Sequence, residues 1–444
     1  MSHATTVACP SREPGSENSG HLPRLLQSGG TDLAGHLRLH GPRPRRGPGL
    51  IEEIRAAGLT GRGGAAFPAA VKLAAAAAQP GRAVVVANGA EGEPASHKDK
   101  HLLWVAPHLV LDGLQLAAEA VAARRAYLYV HRHGQLHQLL ADALAQRAVA
   151  GGDQVAVELV EAPPRFLAGE ESALASRVGG GLARPGFKRP RVFERGVGGA
   201  PTVVQNVETL AHMALIARRG AAWFRLLGTA EEPGSMIVTV HRADGTSLVQ
   251  EVAIGTPLAR LADLDHAPAQ ALLVGGYHGA WLPAAQAARL PLTNAALRPA
   301  GAMTGAGVLA ALPPDRCGLA ETARVLRYLA AESAGQCGPC LNGLPRIAGA
   351  FTTLAQPEPG QRCLDDLERW SALVTGRGAC HHPDGTVRLV RSALTVFAAE
   401  IDRHLRGRCS TDRYGADRAG AASPFLPVPE YSDAAFPRPR RDWR

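Results

Sequence analysis

Cys337 and Cys340 form a CxxC pair inside AESAGQCGPC (Ala331–Cys340), and Cys380 follows forty residues after Cys340. Thiols at this spacing do one of three kinds of chemistry. They ligate zinc, they ligate an iron–sulfur cluster, or they cycle between dithiol and disulfide. The redox-pair reading is the weakest, because the pair does not follow the first strand of a βαβ unit. Zinc would need a fourth nitrogen or sulfur, and His381 and His382 adjoin Cys380. An all-cysteine 4Fe–4S cluster needs four thiolates. A 3Fe–4S cluster or an empty pocket of thiols are the remaining outcomes.

Four glycine- and acid-rich stretches precede the cysteines. GRGGAAFP (Gly61–Pro68) places three glycines directly before a helical run. Glycine lets backbone approach a phosphate, and a helix N-terminus presents free N–H groups to it. A tight structural turn would use the same residues. ANGAEGEPASHKDKH (Ala87–His101) follows an apolar strand, so Asn88, Glu91 and Glu93 sit at its carboxyl end, where open α/β sheets collect ligands. A solvated charged loop is the plain alternative. GEESAL (Gly169–Leu174) puts paired acids at a helix start, which the helix dipole favours by itself. PTVVQNVETL (Pro201–Leu210) adds Asn206 and Glu208, as ordinary capping would. Lysine occurs at only four positions, Lys72, Lys98, Lys100 and Lys188, all in the motif-bearing region of an arginine-rich chain. Lysines kept in such a background have specific work to do.

The elements that must position these residues follow from periodicity. IEEIRAAGL and AAVKLAAAAA read as helices flanking the glycine loop, and RAVVVANGA as a strand. One long helix is expected from about Leu102 to Arg124. AYLYV and QVAVELVEA then read as strands on either side of a helix HGQLHQLLADALAQRA. Strands alternating with helices predict a parallel α/β sheet. After a loop-rich stretch, VVQNVETLAHMALIARRG reads as a helix. Near Glu232 the texture changes: SMIVTVHRADGTSLVQEVAIG predicts a hairpin across Asp244-Gly245, and ALLVGGYHGAWL a strand with a glycine bend. Four helical segments after Leu319 predict a bundle. Residues 1–45 read as a disordered lead-in and 411–444 as a tail.

Composition narrows the function classes. The 444 residues call for several domains. Hydrophobic content of 46% and charge of 20% fit a globular protein without a run long enough to span a membrane. The net charge of +9 is scattered rather than gathered into a patch, which argues against nucleic acid. Seven irregularly spaced cysteines without an export signal read as thiols or metal ligands, and the expected address is the cytoplasm.

Taken in order, the five motifs resemble those of the NADH-binding flavoprotein subunit of respiratory complex I and of related diaphorase and hydrogenase modules. That family carries GRGGAGFPxGxKW, NADExEPGxxKDR, GEETAL, PTxVNNVET and ESCGxCxPCR. The likeness covers about Leu50 to Leu405. It implies a Rossmann-like FMN domain (46–231), a small ubiquitin-like (β-grasp, SLBB-type) domain with its connector (232–318) and a C-terminal four-helix bundle with an iron–sulfur nest (319–410).

Residue by residue, the resemblance implies flavin contacts at Gly61, Arg62, Gly63, Gly64, Lys72, Asn88, Glu91, Gly169, Glu170 and Asn206. It places NADH and flavin orientation on Phe67, Glu93, Glu171 and Lys188, and cluster ligation on Cys337, Cys340 and Cys380. It implies hydride transfer from NADH to flavin, electron passage to iron–sulfur centres, and a partner with a thioredoxin-like 2Fe–2S domain or a ferredoxin-like acceptor. No residue is needed as a general acid or base. The chain departs from the pattern in four respects. Ala90 replaces an aspartate, and Ala334 the first cysteine. Leu73 and Ala75 stand at aromatic positions, and Arg191 stands where a phenylalanine is usual, with Phe193 nearby as a substitute. His381, His382, Cys317 and Cys363 are candidates for the fourth cluster ligand. The alternative function is a divergent paralogue, an FMN-bearing relay or scaffold that does not oxidise NADH.

Overall fold

The computed structural model describes residues 22–27, 29–132, 134–187, 189–411 and 425–429. Helices α1 (Leu33–His40), α2 (Gly49–Ala57) and α3 (Ala69–Ala77) lead into strand β1 (Val84–Gly89). Next come α4 (Lys98–Val105), α5 (Pro107–Ala120), β2 (Arg125–His131), α6 (Gly134–Ala150), β3 (Val157–Ala162), α7 (Glu171–Val178), β4 (Thr202–Asn206) and α8 (Val207–Arg219). The four strands form one parallel sheet in the order β3-β2-β1-β4.

Alternation along β1 explains its two covered faces. Val85 and Ala87 enter the main core with residues of α2, α3, α5 and α8. Val84 and Val86 face the opposite layer, with Tyr129, Leu174 and Val204. Helices α5 and α8 approach closely: a Cβ at Gly113 would lie 1.9 Å from the Leu210 carbonyl oxygen, so only glycine fits there.

Three expectations are corrected in this region. The single helix over Leu102–Arg124 is two helices, because Pro107 has no N–H to continue the ladder and Ala106 leaves helical geometry. TVVQN is strand β4 rather than the start of a helix; its β-branched residues pair with β1 instead. The lead-in is ordered over its described part. The Arg24 and Leu25 amides donate to Glu251 Oε2 at 2.6 and 2.7 Å, and His36 on α1 bonds the buried Asp112 at 2.9 Å.

A second, five-stranded sheet is built from the next stretch of mixed chain: α9 (Ala221–Phe224), β5 (Ser235–His241), β6 (Ser247–Ala253), α10 (Leu258–Ala262), β7 (Ala271–Val274), β8 (Ala280–Pro283), α11 (Ala284–Ala287), α12 (Asn294–Leu297) and β9 (Val308–Leu312). Its order is β6-β5-β9-β7-β8, with β5 and β9 parallel and the other pairs antiparallel. The hairpin across Asp244-Gly245 lies where expected.

Helices α13 (Gly318–Ala331), α14 (Leu344–Leu354), α15 (Arg362–Val374), α16 (His382–Val396) and α17 (Ala398–Leu405) follow. α13 packs on α14 and α16, and α14 on α15. The fourth expected helical segment is broken at Phe397 into α16 and α17. The expected tail is also corrected in part: Leu426 is fully buried and its amide donates to Glu321. No described helix is long and apolar enough to cross a membrane.

Candidate functional site

From β1 the chain winds outward through β2 and β3, then returns to place β4 on the other side of β1. This makes the carboxyl ends of β1 and β4 the topological switch point, where parallel sheets open a crevice for ligands. Asn88 and Asn206 are paired in register there. The glycine loop meets them: a Cβ on Gly63 would lie 3.3 Å from Asn206 Cβ, and Gly64 adopts φ +109°, which side-chain-bearing residues avoid. The loop is closed by Gly61 N–H donating to the Phe67 carbonyl at 2.8 Å. Asn206 caps α8 through the Glu208 amide at 3.0 Å. Asn88 donates to the Gly169 carbonyl at 2.8 Å, and a Cβ on Gly169 would come within 2.7 Å of the Ala90 carbonyl. The third motif is thereby drawn onto the end of β1. Glu170 caps α7 through the Ser172 and Ala173 amides, and Lys72 bridges Glu171 and the Val204 carbonyl.

Other expected residues have different surroundings. Glu91 is buried and accepts from Ser96 and from the Asp99 and Lys100 amides, so its carboxylate organises the start of α4. The Arg62 guanidinium is buried against Thr60 and the Ser235 carbonyl, near Glu208, where the first sheet's layer meets the second sheet. Its side chain serves that join, while its backbone remains in the loop. Phe67 is 45% exposed, an aromatic face open beside the loop. Lys188 lies outside the described residues. Leu73 is fully buried in the main core and Phe193 packs against the same core, so neither replaces a stacking aromatic. Arg191 is exposed, its amide bonded to Glu194.

Glu93 reaches across to the second sheet. Its carboxylate accepts from the Tyr277 amide at 2.8 Å, and the Gly275-Gly276 bend passes so close that a Cβ on Gly276 would meet it at 2.6 Å. Burial pushes the Glu93 carboxyl up to about 8, against the pull of the Tyr277 and Ala95 amides. The folded value lies above the unfolded one, so the neutral form carries no penalty below about 4.5, and stability falls as pH rises to about 8. Glu93→Gln is therefore expected to melt above the parent at pH over 8, with the gap, about 1–3 kcal/mol, closing below pH 4.5. Thermal denaturation across pH checks this; a gap independent of pH would contradict it.

The cysteine site lies at the end of α13. Cys340 sits in a π-helical turn (Pro339–Gly343), a geometry frequent at functional sites. Burial pushes the Cys340 thiol up to about 12; a hydrogen bond with Ser333 opposes the shift, and Cys337 and Cys380 reinforce it. Burial likewise raises Cys380 to about 11, with Glu170 and Cys337 adding to it. Cys340 and Cys380 are thus buried thiols whose surroundings disfavour thiolate until a cation arrives, and Cys337 lies half-buried beside them. At the fourth corner Ala334 packs with Cys380, Leu167, Ala168 and Ala183.

The expected fourth ligands are all engaged elsewhere. His381 is largely exposed beside Asp384. His382 uses both ring nitrogens, on His278 at 2.9 Å and on the Leu329 carbonyl at 2.8 Å. Cys363 bonds the Gly360 carbonyl, and Cys317 faces His404. Zinc in this pocket would lack its histidine as well.

Residues that sequence reasoning passes over join the two sites. Glu332, directly before the cysteine loop, is fully buried and binds Arg165 at 3.1 Å and the Phe166 amide at 2.8 Å. Gln336 donates to the Pro185 carbonyl at 2.6 Å. The stretches on both sides of α7 are thus clamped beside the thiol pocket, bringing Glu170 near Cys380. No local pattern advertises this, since the partners are more than 150 residues apart in the chain.

Comparison with known proteins follows the same division. Residues 54–215 match the family model described as Nuo51 FMN-binding domain, and residues 320–404 that of the NADH-ubiquinone oxidoreductase-F iron-sulfur binding region. The second F-type subunit of the NADH-quinone oxidoreductase of Rhizobium meliloti (strain 1021) is 28% identical over 407 residues, 88% of this chain and 96% of that protein. The F-type subunit of the Streptomyces coelicolor NADH-quinone oxidoreductase is 27% identical over 377 residues, 81% of this chain and 83% of that protein. Among solved structures, the NAD+-reducing NiFe-hydrogenase in its H2-reduced and air-oxidized states superposes with TM-scores of 0.73 and 0.74, at 29% and 30% identity over 81% and 82% of this chain. This chain spans only 62% and 64% of those hydrogenase chains.

Proposed function

Because the chain is a divergent member of the family of F-type subunits of NADH-quinone oxidoreductase, we propose that it is the NADH-oxidising flavoprotein component of an electron-transfer assembly. In this reading the first unit is a Rossmann-like FMN domain, the second sheet a β-grasp (SLBB-type) domain, and α13–α17 a four-helix-type bundle bearing the cluster. The observation that carries the reading is the convergence of the glycine loop with Asn88, Gly169 and Asn206 on one switch point.

The residues fit FMN. A backbone cradle closed by glycines, with Lys72 alongside, suits a phosphate. The pocket of Cys337, Cys340 and Cys380 fits three corners of a 4Fe–4S cluster. When bound, the flavin supplies hydride acceptance from NADH and the change from two-electron to one-electron transfer. The chain itself supplies position and field. Gly63 and Gly64 let backbone N–H groups face the phosphate, while the Gly61 N–H closes the loop on the Phe67 carbonyl. Asn88, Glu170 and Asn206 hold the crevice walls in register through their caps and cross-bonds. Glu171 offers a carboxylate, and Glu93 a carboxyl group held by the Tyr277 amide and largely neutral below about pH 8, for orienting the nicotinamide and ring groups, and Phe67 offers an exposed aromatic face. The Arg165–Glu332 clamp keeps the crevice and the thiol pocket adjacent. The proposed acceptor is a partner protein with a thioredoxin-like 2Fe–2S domain or a ferredoxin-like fold, and the proposed location is the cytoplasm.

Anaerobic addition of NADH to the FMN-loaded full chain should bleach the flavin band at about 450 nm. Bound FMN that stays oxidised under excess NADH would refute the dehydrogenase reading. The aliphatic residues Leu73 and Ala75, standing where stacking aromatics are usual, would then favour a relay or scaffold role.

A further inference from the structure

A second group of donors lies at the opposite end of α13 from the thiol pocket. Cys317 caps the start of that helix; Glu400 and His404 stand one turn apart on α17; Cys409 follows just beyond it. One donor atom from each of the four lies within 4.8 Å of every other. Cys317, Glu400 and His404 are buried, and Cys409 is partly so. His404 Nε2 is 3.5 Å from Cys317 Sγ and 3.4 Å from Glu400 Oε1. Outer contacts hold the set in place: the Ser410 amide donates to Glu400 Oε1 at 2.7 Å, Arg403 to Oε2 at 3.0 Å, and Thr411 Oγ1 lies 3.1 Å from Cys409 Sγ.

We infer that Cys317, Cys409, His404 and a carboxylate oxygen of Glu400 form a structural zinc site, separate from the iron–sulfur nest. The donor set carries the metal choice. Two thiolates, an imidazole and a carboxylate are all ligands zinc takes, and four protein donors close its tetrahedral shell. Zinc–sulfur bonds of about 2.3 Å and zinc–nitrogen or zinc–oxygen bonds of about 2.0 Å put tetrahedral neighbours roughly 3.3–3.8 Å apart. Donors already within 4.8 Å need only a small contraction to reach that shell. Outer hydrogen bonds to the carboxylate orient it, as in other metal sites.

An ion pair between Glu400 and His404 explains two of the four residues. It gives no reason for two thiols to converge on the same point from segments 92 residues apart. The site would staple the chain beyond α17 to the start of α13. That helix runs about 20 Å to the Glu332–Ala334 corner of the nest, so the two metal sites do not share ligands.

The full chain, purified anaerobically with zinc in the medium, should contain one zinc in addition to its iron. X-ray absorption at the zinc edge should show two sulfur and two nitrogen or oxygen neighbours. Cys409→Ser and His404→Gln should each lose most of the zinc while iron stays, and Cys337→Ser should lose iron while zinc stays. Zinc coordinated by three or four sulfurs, or zinc lost together with iron in Cys337→Ser, would place it in the nest and overturn the inference. A Cys317–Cys409 disulfide in non-reduced peptide mass spectra, or no zinc in the parent protein, would overturn it too. Should the Cys409 variant fail to fold, the parent's absorption spectrum and the Cys337 variant still decide.

Discussion

Ala334→Cys is expected to turn a three-thiolate nest into a four-thiolate one. In the parent, Cys337, Cys340 and Cys380 share the pocket, and every other side chain that the sequence offers as a fourth ligand is committed elsewhere. A cluster held at three corners keeps one iron without a cysteine, and oxidation removes that iron first. The parent should therefore pass to a 3Fe–4S form on exposure to air, while the variant keeps its four irons. Ala334 is 6% exposed and packs against Cys380, Leu167, Ala168 and Ala183. Adding a sulfur to that packing costs about 1–3 kcal/mol in the empty protein, which ligation then offsets. Electron paramagnetic resonance and iron analysis before and after air exposure read the result. A parent cluster as stable in air as the variant's would show that another group already supplies the fourth bond. Ser333, which hydrogen-bonds Cys340, is then the first residue to replace.

Lys98→Met should destabilise the protein by about 3–5 kcal/mol, a large share of a typical domain's stability. Lys98 is 3% exposed, with its ammonium 2.7 Å from Asp99 Oδ1 and 2.8 Å from Glu208 Oε2. Burial alone would favour the neutral amine, but the two carboxylates outweigh it and hold Lys98 charged. The other carboxylate oxygens are tied to structure: Asp99 accepts from Asn206, and Glu208 from the Ile237 amide on β5. Removing the cation leaves Asp99 with no cationic partner among the described residues and Glu208 with only Arg62, 4.0 Å away, where α4, α8, the switch point and the second sheet meet. Denaturant titration checks the size of the loss. Asp99→Asn in the Lys98→Met background should recover part of it, since the carboxylate left without a cation disappears. Independent, additive effects would contradict the network.

The elements themselves are largely legible in the chain. β1, β2 and β3 are readable because short runs rich in valine or tyrosine sit between turn residues, and the hairpin because of Asp244-Gly245. β4 escapes such a reading because VVQN adjoins a strong helix pattern, and only its pairing with β1 makes it a strand. The ordered part of the lead-in is hidden for a related reason: Arg24 and Leu25 are held by Glu251, more than two hundred residues away. In the site, Gly63, Asn88 and Asn206 are readable as motif residues, while the separate duties of Arg62, Glu91 and Lys98 are not. Each is a charged residue in a polar motif, and only its buried partners show that it serves the framework.

By itself the sequence determined the order of motifs along the chain: a glycine loop before a helix, acids at strand and helix ends, and cysteines on a helical region. These follow from local rules of backbone freedom, dipoles and ligand type, which act over a few residues. Tertiary structure alone decided which donors meet. It withdrew His381, His382, Cys317 and Cys363 from the nest and left Ala334 at its fourth corner. It also gathered Cys317, Glu400, His404 and Cys409 at the far end of α13. Ligation depends on distances of a few ångströms between residues up to 92 positions apart, and chain spacing carries no such information until helices and sheets have packed.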